Sequence, residues 1–178
     1  IEKTASMSWG FVPLTNYQGT DPRAVLEPLS EHLTDYEQLM IQYYGAGVQA
    51  CYRGPRLYDT ETTRQMVART INWYKKYRSI LNADMIQLRR ADGRDWDGLI
   101  HVDPSSKQKA LGMLYNPTKE KITRTIPVPL YYTGLTTTAT LALKDDKATA
   151  KKYTLTRNHE LLLTVTIEPE SYTWFTVE

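Results

Sequence analysis

One cysteine, Cys51, is all the chain has, which excludes an internal disulfide and a cysteine-ligated zinc cluster. Its three histidines, His32, His101 and His159, lie too far apart for metal-ligand spacing. Charge of either sign is in short excess. The net value is +2, with nine basic residues against eight acidic up to Asn82 and thirteen against twelve beyond it. Neither part makes the basic field that nucleic acid or an acidic membrane surface requires. No apolar run approaches the roughly 18 residues of a membrane-spanning helix. Glycine and serine are not arranged as a Gly-x-Ser-x-Gly elbow or a phosphate-binding loop, and no His-Glu pair sits at helical spacing. The sequence therefore calls for no metal and no cofactor, and for neither nucleic acid nor membrane as a partner. It shows no secretory signal pattern, and it opens on Ile1 rather than Met, as expected of part of a longer polypeptide.

What is present suits a folded chain with a sizeable core: 178 residues, 41% hydrophobic and 24% charged. The chain is organised around the stretch Arg53 to Val102. Here a turn (Arg53-Gly54-Pro55-Arg56) precedes a long helix, in which Met66/Val67, Ile71, Tyr74, Tyr77/Ile80 and Leu81 recur with a period near 3.6. Asp59 or Thr60 can cap its start, Glu61 complements the dipole, and Lys75, Lys76 and Arg78 load its end before Asn82. Upstream, Met7 to Leu14 reads as a short strand and Thr15 to Pro28 as a loop. A helix opened by Ser30 or Thr34 and closed by Gly45 follows, then a second strand from Ala46 to Tyr52. Strand, helix, strand and helix in that order suggest parallel α/β units, too few to close a sheet by themselves.

From Met85 the period changes to two. Met85 to Arg89 and Gly98 to Val102 flank an Asp-Gly connection and predict a long hairpin. Further strands are expected at 109–115, 122–128, 136–143, 148–156, 161–167 and 172–177, about eight in all, with turn signals between them. Pro127 and Pro129 put the 122–128 strand at an edge or strand end, and the heavy use of threonine fits a half-exposed pleated surface. Short strands at this spacing without helix signals point to an antiparallel sandwich.

Few residues invite a chemical role. Asp92, Asp95 and Asp97 suggest calcium at first sight, but with Gly98 as the loop glycine the EF-hand ligand positions fall on Gly93 and Pro104. A hairpin connection with Arg90 and Arg94 balancing the charge accounts for them better. Cys51 has small apolar neighbours and reads as a buried thiol rather than a nucleophile. Residues after parallel strands face the active site in barrels, which marks Thr15, Asn16 and Tyr17, then Tyr52, Arg53 and Arg56. Trp9, Tyr17, Tyr52 and Tyr58 could stack on a sugar and Arg53 could hold its hydroxyls. Against that, 13 Tyr and 4 Trp must serve mostly as core and strand residues.

Several runs resemble one family in wording. They are YGAGVQACYRGPRLY at Tyr44 to Tyr58, Trp73-Tyr74, Tyr77-Arg78, LRRADGRDWDG at Leu88 to Gly98, and His101-Val-Asp-Pro104. These are similar to the C-terminal region of bacterial α-galactosidase-like glycoside hydrolases, a (β/α)8 barrel followed by a β-sandwich. Leu111 to Pro117 and Pro129 to Leu135 fit the sandwich portion, and the resemblance spans about Met7 to Leu135. It implies an α+β chain: residues 1–82 form the helical and strand remnant of the barrel with its closing helix, and residues 83–178 form the antiparallel β-sandwich. It also implies that the catalytic carboxylates lie on earlier barrel strands, so no catalytic residue is assigned here. Trp9 and Arg53 alone are carried toward substrate contact. The expected role is a sandwich accessory domain of a carbohydrate-processing enzyme, with the remainder of the catalytic barrel as partner and a periplasmic or extracellular location. The chain alone is expected to be inactive. The alternative is a non-catalytic carbohydrate-binding module using Tyr131, Tyr132, Tyr172 or Trp174 as its platform.

Overall fold

A computed structural model describes residues 10–13, 26–48, 50–53 and 56–178, with backbone alone at 10–13, 50, 51 and 53. Among the described residues there are two α-helices and ten strands. Contacts divide the chain into two compact units, one reaching to Arg78 and one starting at Ser79.

The first unit holds β1 (Gly10–Pro13), α1 (Leu33–Gly45), β2 (Ala50–Arg53) and most of α2 (Glu61–Leu81). β1 and β2 pair in parallel, with Gly10 opposite Ala50 and Pro13 opposite Arg53. Leu29, Tyr36 and Met40 are fully enclosed, and Leu26, Tyr44, Met66 and Val67 complete one cluster with them. Ile71, Trp73, Tyr74 and Tyr52 pack around it. The stripe expected on α2 is therefore the stripe that is buried. Thr63 and Thr70 extend it, and each hydroxyl is satisfied locally: Thr63 donates to Asp59 at 2.8 Å and Thr70 to the Met66 carbonyl at 3.0 Å.

Two helix ends differ from the sequence expectation. Residue His32 is the N-cap of α1 and offers no side-chain cap, because Ser30 is drawn instead to Asp59. Gly45 lies inside α1. The left-handed residue is Gly47, with φ of 70°, and the Gly47 and Val48 amides donate to the Tyr44 and Tyr43 carbonyls. That is a Schellman closure, in which glycine avoids a Cβ clash and the following apolar residue folds back. Ala46 to Val48 thus belongs to the helix end, and the strand begins only at Ala50.

The second unit is built from β3 (Asp84–Arg89), β4 (Asp97–Val102), β5 (Ala110–Asn116), β6 (Ile122–Pro129), β7 (Thr138–Leu143), β8 (Lys151–Thr154), β9 (Glu160–Ile167) and β10 (Ser171–Val177). Strands lie in the order β3-β4-β5-β10-β7-β8, a six-stranded sheet, and β6 and β9 form a two-stranded layer. Pairing is antiparallel in both layers. The expected α+β chain with an antiparallel sandwich at its C-terminal end is present.

Between the layers lies one core. β9 alternates strictly, with Leu161, Leu163, Val165 and Ile167 inward and Thr164 and Thr166 outward. Facing them are Ile100, Leu114, Leu141, Phe175 and Val177 of the wider sheet. On the outer face, threonine hydroxyls meet directly across the ladder, Thr123 to Thr166 at 2.9 Å and Thr125 to Thr164 at 3.0 Å. The wide sheet is apolar on its other face as well: Leu99, Leu111 and Met113 are fully buried there beside His101 and Asp97. Among the described residues no helix is long and apolar enough to cross a membrane.

Gly112 sits where β5 passes under the Phe175 ring, and a Cβ at this position would collide with three ring carbons. Since Phe175 is itself fully buried, it has nowhere to retreat. Gly112→Ala is expected to cost about 1–3 kcal/mol, read as a lower urea midpoint at unchanged slope.

Candidate functional site

Of the residues proposed for sugar contact, Tyr52 and Arg53 lie at the C-terminal end of β2, whereas Trp9 precedes the first residue of β1 in the sequence. Arg53 is the last residue of β2, in register with Pro13 at the end of β1. Its backbone is placed there; its side chain, and the whole of Trp9, Asn16 and Tyr17, lie outside the described residues. Residue Cys51 occupies the register position opposite Phe11.

Tyr52 stands one residue before Arg53, and its hydroxyl meets that of Tyr44 at 2.7 Å. Tyr44 in turn stacks on Tyr74 with centroids 4.7 Å apart, and Tyr36 donates to the Leu57 carbonyl at 3.0 Å. Burial pushes the phenols of Tyr36, Tyr44 and Tyr52 up, the shared hydrogen bond raising Tyr52 further and restraining the rise at Tyr44. These rings stay neutral and serve as packing with directed hydroxyls, so Tyr52 is committed to Tyr44. Tyr58, by contrast, is 48% exposed and free to meet a ligand face. Arg56 holds Glu27 through two nitrogens, the shorter contact being 2.8 Å.

Carboxylates near this end have structural work. Asp59 accepts from the Ser30 amide and hydroxyl, both at 2.9 Å, and from the Thr63 hydroxyl. Partial burial pushes its pKa up, but these donors outweigh burial and bring it down to about 2. Thr60 is the residue that caps α2, its oxygen accepting from the Thr63 amide at 3.3 Å. Glu61 accepts from Nε and Nη2 of Arg64, first cause of a pKa lowered to about 2, with Gln65 assisting. A general acid needs the opposite shift, so neither group is tuned for that task.

In the second unit the Asp-rich connection is a closed set of turns. Arg89 reaches both oxygens of Asp92 and the Trp96 carbonyl, while Arg124 reaches Asp95 at 3.1 Å. Arg89 and Arg124, not Arg90 and Arg94, balance the charge, because β3 and β6 bring them alongside. Asp92 is held at a pKa of about 2 by Arg89 and the Arg94 amide. Residue His101 is fully buried on β4, and His159, with φ of 57°, contacts the Leu135 carbonyl at 3.2 Å. Of the aromatic platform residues, Tyr131 and Tyr132 are 64% and 63% exposed and meet edge to face, whereas Trp174 is buried.

The link between Asp59 and Ser30 was not legible in the sequence, since it joins residues 29 apart through a turn that only the packed helices define. The pairing of Tyr44 with Tyr52 was equally hidden. The reversal at Gly47 creates it.

No protein-family model matches the sequence, and no curated protein sequence does. Solved structures do match in fold. A GH27 β-L-arabinopyranosidase from Geobacillus stearothermophilus, in complex with arabinose, is 12% identical with a TM-score of 0.50, covering 81% of this chain and 30% of that one. AmyP in complex with maltose is 10% identical with a TM-score of 0.53, covering 95% and 40%. The α-amylase of Geobacillus thermoleovorans, complexed with acarbose, is 8% identical with a TM-score of 0.52, covering 96% and 38%. This chain thus has the fold of the C-terminal part of glycoside hydrolases, the GH27 kind included, and spans 30% to 40% of the length of these three.

Asp59 gives a test of the first unit. Its folded pKa is depressed, so its contribution is complete above the unfolded value near 4 and fades as pH falls toward about 2. Asp59→Asn is expected to cost about 1 kcal/mol at neutral pH. The gap from the parent chain should close between pH ~4 and ~2 in acid-dependent denaturation curves.

Proposed function

We propose that this chain is the C-terminal portion of a carbohydrate-processing glycoside hydrolase, in which the β-sandwich is an accessory layer that buttresses a catalytic barrel. The single observation that carries the reading is the second apolar face of the six-stranded sheet. Leu99, Leu111 and Met113 point away from the β6–β9 layer and are nonetheless fully buried, so the sheet is built for cover on both sides.

In this reading the reaction centre belongs to barrel strands upstream of those in this chain. The described carboxylates with lowered pKa, Asp59, Glu61, Asp92 and Asp103, each hold a turn, a cap or an arginine. Glycoside hydrolysis asks for a pair of carboxyl groups roughly 5–10 Å apart, one of them raised to act as acid. Trp9 and Arg53 are the residues of this chain proposed to reach the substrate. Sugars named with the structures of like fold, arabinose and maltose, are the chemistry against which Arg53 would work.

An aryl α-galactoside assay on residues 1–178 is expected to give no turnover above the blank; measurable turnover refutes the buttress reading. In a longer enzyme that includes the upstream barrel, Leu111→Asp should lower the melting temperature by several degrees and leave KM unchanged at temperatures where the fold survives. In the same enzyme, Arg53→Ala should lower kcat/KM about ten-fold or more at unchanged melting temperature. Unchanged kinetics would remove Arg53 from the substrate.

A further inference from the structure

A cleft of about 360 Å³ opens in the sandwich unit where the end of β7 and the short turn Lys147–Thr149 meet the end of β9 and the start of β10. That volume is at the small end of ligand sites, enough for one or two sugar rings. We infer that this cleft binds a short neutral saccharide, held by Lys144, Asp146, Glu168, Ser171 and Thr173. The proposal does not rest on the buttress reading, because every residue it uses lies in the second unit.

The lining has the chemistry of polyol recognition. It offers ammonium and hydroxyl donors from Lys144, Ser171 and Thr173 and carboxylate acceptors from Asp146 and Glu168. Charge does not select an ion. Lys144 and Asp146 contribute one charge of each sign to the lining, and Glu168 is already matched by Lys121 at 2.6 Å. A ligand that both donates and accepts, without net charge, fits better than an anion or a cation. The Asp146 carboxylate spends one oxygen on the Ala148 amide at 2.9 Å, which fixes its orientation and leaves the other oxygen to the cleft.

Both walls are pinned by the backbone. On one side the Asp146 amide donates to the Leu143 carbonyl and the Lys144 amide to the Trp174 carbonyl, both at 2.9 Å. Lys144 and Asp145 are the central residues of this turn, with φ of 50° and 56°. On the other side the buried Asn116 amide donates to the Ile167 and Glu168 carbonyls at 3.2 and 2.9 Å, and the turn into β10 passes through Glu170 at φ of 47°. Among the described residues four non-glycine positions have positive φ, and three of them flank this cleft. Left-handed backbone is unfavourable in Lys and Glu, and glycine, asparagine or aspartate ordinarily takes such places. At Lys144 the side chain is retained where glycine would cost less, and that side chain lines the cleft.

The strained lysine gives a test that separates binding from folding. Maltotriose and raffinose, two neutral oligosaccharides, are titrated into residues 1–178 while backbone amide shifts are followed, with glucuronate as a charged comparator. Saturable shifts at Lys144, Glu168, Ser171 and Tyr172 with at least one neutral sugar are expected. Lys144→Gly, which relieves the backbone, should weaken that binding about ten-fold while leaving the melting temperature equal or higher. The proposal is overturned if neither sugar saturates up to about 50 mM. Shifts confined to Tyr131 and Tyr132, binding of glucuronate alone, or unchanged affinity in a folded Lys144→Gly chain would overturn it too.

Discussion

A β-sheet that is apolar on both faces must be covered twice, and that requirement shapes the C-terminal half of this protein. Every residue of β4 and of β5 is buried. Alternation of apolar and polar residues, the signature of a half-solvated antiparallel sheet, is absent from these central strands and present in β9. The β6–β9 layer satisfies one face. The other carries Leu99, Leu111 and Met113 together with polar groups placed in register: Asp97 opposite Tyr115, and Tyr115 opposite Tyr172. Burial and the neighbouring Asp97 push the Tyr115 phenol up, so it remains neutral and the row carries one charge at most beside it. Polar groups in such a position cost stability unless they fix an arrangement, and a row across three strands fixes the register of the sheet.

Order in the N-terminal unit comes from a different source. Its two parallel strands are four residues each, too short to supply a core, so the helices must provide it. α1 ends at Gly47 in a left-handed turn that sends the chain back along itself, which brings Tyr52 beside Tyr44. Asp59 then ties the start of α2 to the turn preceding α1 through Ser30. One carboxylate with three donors around it takes the place of the larger apolar contact that longer strands would make.

Much of this was legible in the sequence because the periods are local. The α2 stripe and the eight C-terminal strands follow from spacing alone, and Thr60 is recognisable as a cap by residue type. Where the reading went astray, the deciding partner was distant. Gly45 and Gly47 are equally good helix stops in isolation, and only packing of Val48 selects the second. Arg90 and Arg94 are nearer in sequence to the aspartates than Arg124 is, yet pairing of β3 with β4 and the approach of β6 place Arg89 and Arg124 against them. The cleft was invisible for the same reason, since its walls come from residues 143–149 and 166–173. A lysine with positive φ has no sequence signature at all. Trp9 and the side chain of Arg53 lie outside the described residues.

The position of the cleft follows from the mismatch between the two layers. Two strands cannot cover six. Beneath β6 and β9 the inner face is fully enclosed, as at Leu141 and Phe175, but toward the β7–β8 edge Leu143 and Tyr153 are only partly buried. Apolar cover thus gives out near the end of β7, and a polar lining has to take over where the layers part. A sandwich of equal sheets would have closed this corner with more core. Here the narrow layer leaves a concave shelf whose polar groups are held by turns on both sides, and concavity with fixed polar groups is what distinguishes a recognition site from ordinary surface. The same asymmetry that commits the wide sheet to a second covering layer on one face therefore leaves room for a small ligand at the margin of the other.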